Sequence, residues 1–131
     1  MKLRIPTIAV LLLIASVLLA QAPAAFKRTL LQQADLSVAG REAVTAVAEL
    51  QPGAVAGRHT HPGEEVGYVL DGSVTVEIDG KPPMSLTAGK AFIIPAGAVH
   101  NAKNTGSGLA KVLATYIVEK GKPLATTIAG N

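Results

Sequence analysis

Neither cysteine nor tryptophan occurs among the 131 residues, and two phenylalanines and two tyrosines are the whole aromatic complement. The lack of cysteine excludes a disulfide framework, a thiolate nucleophile and a thiolate zinc site, so stability must come from the core, a metal or an oligomer. Basic clusters are missing too, and with them the electrostatic footprint of a nucleic-acid binder. The formal net charge of +3 overstates the basic character. Two of the twelve basic residues, Lys2 and Arg4, lie in a leader-like start, and residues 25–131 carry ten basic against nine acidic side chains, a net of +1. The length allows one domain, since a single core serves about 100 to 200 residues.

Lys2 and Arg4 precede an apolar run from Thr7 to Ala20 that ends in Gln21-Ala22-Pro23-Ala24-Ala25. A basic start, a short apolar run and a small-residue site make the pattern of a secretory signal peptide over residues 1–24, cut after Ala24 or Ala22. The run falls short of the roughly 20 apolar residues that span a bilayer, and no cysteine is present to carry a lipid. The expectation is a periplasmic or secreted protein, free of the membrane after cleavage, with a single domain over 25–131.

Turn signals recur at Pro52-Gly53, Pro62-Gly63, Asp71-Gly72, Asp79-Gly80, Ala88-Gly89, Ala96-Gly97 and Thr105-Gly106. Most segments between them are short, and none has helical period, which predicts an all-β sandwich or barrel. Val74, Val76 and Ile78 alternate against Ser73, Thr75 and Glu77, and Val112, Ala114, Tyr116 and Val118 alternate against a mixed second face. Residues 26–40 read as an N-terminal arm or short edge strand, and the tail from Gly121 to Asn131 reads as loosely ordered. Gly53, Gly72, Gly80, Gly89 and Gly97 fall where a small barrel turns sharply with positive φ.

The three histidines all sit beside proline-glycine breaks. On an extended strand, residues two apart share a face, so His59 and His61 present their rings together while Arg58 and Thr60 turn away. After the Pro62-Gly63 reversal a carboxylate returns to that face. Alternation, which groups Glu65 with Gly67 and Val69, favours Glu65 over Glu64 in part, and Gly67 leaves space beside it. His100 follows the Pro95-Ala96-Gly97 turn. A lone strand histidine is ordinarily a hydrogen-bonded or surface group, whereas this set of His59, His61, Glu65 and His100 reads as a metal site.

The same residues resemble the two motifs of the cupin superfamily. The pattern G-x5-H-x-H-x3-E-x6-G runs from Gly53 through His59, His61 and Glu65 to Gly72, and G-x5-P-x-G-x2-H-x3-N runs from Gly89 through Pro95, Gly97 and His100 to Asn104. The resemblance implies a double-stranded β-helix, a small jelly-roll barrel, with motif 1 at 53–72 and motif 2 at 89–104. The short inter-motif region, residues 73–88, is similar to that of small single-domain bacterial cupins. Asn104 takes a structural, turn-holding role, and Tyr68, on the face opposite Glu65, belongs to core or interface.

Three imidazoles and a carboxylate suit one divalent transition metal, with Fe, Mn, Zn, Ni and Cu all admissible. Positions left open on such a metal take water or a small bidentate molecule. The expected function is that of an exported mononuclear metal-binding cupin, a metal-dependent enzyme of dioxygenase type acting on a small chelating molecule. Such chemistry asks little of the protein beyond metal and positioning. The alternatives are a non-catalytic module that binds or senses a small ligand, and a metal that staples a small fold. Acid–base chemistry of the epimerase kind lacks a base, since no fourth histidine exists and Glu64 is the only uncommitted acid beside the site. No residue is assigned to an organic cofactor or a catalytic role. The pocket wall is expected to be aliphatic, from residues such as Val55, Val69, Val76, Ile94, Val99 and Leu113. The arm at 26–40, lent to a neighbour's sheet edge, predicts a homodimer, which the family resemblance also implies.

Overall fold

The computed structural model describes Ala22 and residues 24–130, so the leader-like segment lies almost wholly outside the described residues. Ten strands follow in order: β1 (Phe26–Asp35), β2 (Arg41–Leu50), β3 (His59–Thr60), β4 (Gly63–Asp71), β5 (Ser73–Ile78), β6 (Met84–Thr87), β7 (Ala91–Ile94), β8 (His100–Asn104), β9 (Ala110–Glu119) and β10 (Thr126–Thr127). No helix occurs among the described residues. The strands form two five-stranded sheets, β1-β2-β9-β4-β7 and β10-β3-β8-β5-β6, and every pairing is antiparallel. This is the all-β architecture expected from the turn spacing, in the jelly-roll form that the motif resemblance implied.

Alternation decides what each strand gives the interior. In β4 Gly63, Glu65, Gly67 and Val69 are buried while Glu64, Val66, Tyr68 and Leu70 are exposed. In β5 the buried set is Val74, Val76 and Ile78, and in β9 it is Ala110, Val112, Ala114, Tyr116 and Val118. These faces meet in one cluster around Leu50, Val69, Val74, Val76, Phe92 and Ile94, and a second around Val44, Ala46, Tyr116 and Val118. Burying each large apolar side chain contributes about 1.5–3 kcal/mol.

Two glycines let the first sheet close. A Cβ on Gly63 would stand 1.9 Å from the backbone oxygen of Ile117, so β4 approaches β9 only without one. A Cβ on Gly67 would stand 2.1 Å from the Phe92 ring. The space left at Gly67 is thus filled by an aromatic side chain. The five turn glycines all take positive φ, from 69° at Gly97 to 89° at Gly89. Asn104 holds its turn as expected. Its Nδ2 donates to the carbonyls of Leu50 (2.8 Å) and Gly108 (2.7 Å), and its Oδ1 accepts from the Gly106 N–H at 2.9 Å.

The arm is an edge strand, one of its expected forms, though longer, and the tail is more regular than expected. The arm is a full ten-residue strand, β1, paired along β2 with a bulge between Leu30 and Gln32. The tail is not loose, because β10 pairs with β3 and the Ile128 N–H donates to the Arg58 carbonyl at 2.9 Å. Neither segment alternates cleanly between apolar and polar residues, which is the signal that marks a strand with one buried face.

Candidate metal centre

β3 and β8 are paired so that His59 lies opposite His100, and β4 brings Glu65 across from the other sheet. His61, one residue past β3, completes the group. All four are buried, and one ligand atom from each lies within 4.8 Å of all the others. The ring centroids of His59 and His100 are 4.2 Å apart, and those of His59 and His61 4.8 Å.

The backbone fixes how the rings are protonated. Each Nδ1 meets a carbonyl oxygen: His59 that of Gly57 at 2.7 Å, His61 that of Leu124 at 2.6 Å, and His100 that of Ala98 at 2.9 Å. A carbonyl only accepts, so each Nδ1 carries a proton, and Nε2 is the atom each ring can offer to a metal. The Nε2 atoms of His61 and His100 stand 3.0 and 3.1 Å from Glu65 Oε2, and His61 Nε2 is buried with no hydrogen bond. Lone pairs facing a carboxylate in a buried site repel unless a second ring proton or a cation lies between them. Bound at about 2.1 Å, opposed ligand atoms on a metal lie about 4.2 Å apart, close to the spread found here. The four residues are arranged to bind a metal ion.

Electrostatics agree with a site prepared for a cation. Burial, together with the charges of His100, His61 and Arg28, lowers the His59 pKa to about 4 despite the Gly57 carbonyl, so this ring stays neutral. Burial works to raise that of Glu65, but in the metal-free site its contacts with His100 and His61, which stabilise the carboxylate when those rings carry a second proton, outweigh burial and hold the carboxyl at about 2. Glu65 is therefore ionised. Burial and the Glu65 charge push Tyr116 up to about 12, against the opposing pull of Arg28, so its phenol keeps its proton.

His59, Glu65 and His100 line a cavity of about 30 Å³, together with residues that include Phe26, Arg28, Ala56, Val76, Phe92 and Tyr116. At roughly 15 Å³ per water-sized group, that space takes about two. The wall is half aliphatic, as expected, through Ala48, Leu50, Ala56, Val74, Val76, Ala102 and Val112, but three of the four aromatic side chains also line it. Of the six aliphatic residues expected there, only Val76 does. Val69 and Ile94 are core, Val55 is 48% exposed, and Val99 and Leu113 are half-buried. Ala56 and Val112 take the places of Val55 and Leu113, a difference of one residue in strand parity. Arg28, Phe26 and Leu124 were absent from the sequence reading, since they come from the two segments without a legible pattern. Tyr68 lies on the face opposite Glu65 as expected but is 45% exposed, so it is not part of the core, and Glu64 is exposed on the same far face of β4.

Residues 46–125 match the family model described as a cupin domain, well over half of the chain. The chain belongs to the cupin family. Among curated relatives, this cupin is 36% identical over 67 residues to the HTH-type transcriptional regulator PuuR of Escherichia coli (strain K12), covering 50% of the chain and 36% of the regulator. It is 36% identical over 77 residues to germin-like protein 1 of Brassica napus, covering 55% and 37%. The cupin thus spans little more than a third of the length of these relatives. Among solved structures, it resembles oxalate oxidase in complex with the substrate analogue glycolate, with TM-score 0.65, 24% identity, and coverage of 82% of this chain and 57% of that one. A cupin superfamily protein from Desulfitobacterium hafniense DCB-2 follows at TM-score 0.62 and 16% identity, covering 76% and 84%. These likenesses show the fold.

Proposed function

We propose that this cupin is an exported, mononuclear metalloprotein that holds one divalent transition metal through His59, His61, Glu65 and His100, and that it acts as a dioxygenase-type enzyme on a small chelating molecule. The observation that carries the reading is the set of three Nδ1–H···O=C anchors, which leave Nε2 of each ring as its ligand atom in a four-residue group with Glu65 whose ligand atoms lie within 4.8 Å of one another. The bound metal would supply Lewis acidity and a place where dioxygen and a chelating substrate meet. The protein's part is to hold the four ligands, keep the aromatic and aliphatic wall dry, and limit the ligand by cavity size. Tyr116, held protonated, serves as a hydrogen-bond donor and not as a base.

The test is metal analysis of the protein purified from its own compartment, followed by oxygen-uptake screening with small chelators. Stoichiometric metal with oxygen uptake supports the reading, and no metal in the wild type overturns it. A sensing role is the second reading, favoured by the similarity to a segment of a protein named as a transcriptional regulator. It predicts ligand binding without turnover.

The same proposal includes association with a second copy of the chain. From Thr29 onward β1 is exposed on both faces, and Leu30 and Leu31 are each 56% exposed. An edge strand of this length, left bare, invites pairing with another sheet edge. A second copy that covers it makes a homodimer.

A further inference from the structure

One cation faces the cavity and has no acid to answer it. Arg28 sits on the inward side of β1, opposite Ala48 of β2, and lines the same space as His59, Glu65, His100 and Tyr116. Its guanidinium carbon lies 5.4 Å from the centroid of the Phe26 ring and 5.5 Å from that of Tyr116. Stacking of this kind holds a guanidinium in place, and the Tyr116 hydroxyl meets one of its N–H groups. Its Nε is buried without a hydrogen bond. Among the described residues Arg28 forms no ion pair, whereas Arg58 pairs with Asp79 and several surface lysines pair with acids. Glu65 does not serve as its counter-ion, being engaged by His61 and His100.

A buried donor without an acceptor costs about 1–3 kcal/mol, and it is retained where a ligand supplies the acceptor. Every other wall residue outside the histidine–glutamate cluster and Tyr116 is apolar. Arg28 is therefore the wall group suited to a negative charge. We infer that Arg28 is the anion-recognition residue of this pocket and that the ligand is a small carboxylate. Its charged end pairs with the guanidinium, and a second oxygen faces the metal position. The inference rests on the metal-site reading and narrows its ligand from any small chelator to an anionic one. The 30 Å³ of space restricts it further to a molecule of few heavy atoms, or to one that displaces wall side chains.

The test uses full-length protein loaded with Co(II), with metal content measured in each sample. Glycolate and its neutral isostere glycolamide are titrated by calorimetry into wild type, Arg28→Lys and Arg28→Gln. The wild type should prefer glycolate by about tenfold or more, as a charge-assisted pair predicts. Arg28→Gln should lose that preference with metal content unchanged, and Arg28→Lys should keep part of it, since ammonium lacks the planar fork. Glycolate binding to Arg28→Gln at wild-type strength, with metal in place, overturns the inference alone. Loss of metal in both Arg28 variants also overturns it, by showing that Arg28 supports the ligand cluster instead. A wild type that takes up no metal overturns the metal-site reading and this inference with it.

Discussion

β4 and β1 belong to the same sheet, run for nine and ten residues, and have little else in common. β4 lies between β9 and β7, and its side chains alternate without a fault from Gly63 to Leu70. β1 is held on one side only, and its alternation lasts three residues, with Phe26 and Arg28 half-buried and Lys27 exposed, before everything becomes exposed. A strand acquires a readable pattern from having one dry face and one wet face. β1 has a dry face only where it passes the cavity mouth, and those few residues carry what it gives the site.

The contrast can be broken most severely at Gly63. With backbone atoms 1.9 Å from its would-be Cβ, Gly63→Ala has no flexible neighbour to displace, and a loss of about 3 kcal/mol or more is expected. Thr29→Ala in exposed β1 should change stability by less than about 0.5 kcal/mol. Denaturant midpoints compare the two, and equal values would erase the distinction between the strands.

Metal removal comes next. At a hundredfold excess over Kd a bound ion stabilises by about 2.7 kcal/mol, which for a domain of this size is roughly a 10 °C fall in Tm in chelator. His61→Ala should melt at the same temperature with and without chelator, whereas Leu31→Ala in β1 should keep the full difference. Thermal melts with metal analysis decide it.

Acid should sharpen the same division. In metal-free protein His59 has its pKa lowered from 6.5 to about 4, so the unfolded chain takes up a proton that the folded one refuses. Stability is full above about 6.5 and falls as pH drops from there to about 4, by up to about 1.4 kcal/mol per pH unit. Glu65, lowered from 4.5 to about 2, adds a loss of the same sign below 4.5. Urea titrations across pH 7 to 4 should show the slope in the wild type and a reduced one in His59→Gln.

The smallest effect on the fold should come from β1's outer residues. Leu30→Lys with Leu31→Lys leaves the barrel interior untouched, and chain stability should shift by no more than about 0.5 kcal/mol per substitution. If a second copy covers β1, light scattering should report the dimer in wild type and the monomer in the double variant. A wild-type monomer at micromolar concentration removes the association proposal.

The same contrast explains what was legible in the sequence. The all-β architecture followed from turn spacing and from the alternation of β5 and β9. The grouping of His59, His61, Glu65 and His100 followed from strand parity and a proline-glycine reversal, both local rules. Which residues line the pocket did not follow. Val55 against Ala56 and Leu113 against Val112 differ by one position, and parity in a loop or on a strand with two partly covered faces has no local marker. Arg28 and Leu124 were invisible for a different reason: their roles depend on pairings across the whole chain, Arg28 through β1 on β2 and Leu124 through the segment that leads to β10 on β3.

The bond from His61 Nδ1 to the Leu124 carbonyl joins residues 63 positions apart, and Glu65 meets His100 across 35. Contacts so distant in sequence form late, because the chain must close long loops before it gains from them. The ligand cluster can therefore mature only once the last strand has docked, and a nascent or truncated chain lacking residues past Gly121 would present His61 with an unfixed ring. An ion captured afterwards ties three distant stretches of chain together, as a covalent cross-link would. Its larger effect should then be on how slowly the barrel opens, so unfolding rates should respond to chelator more than refolding rates do.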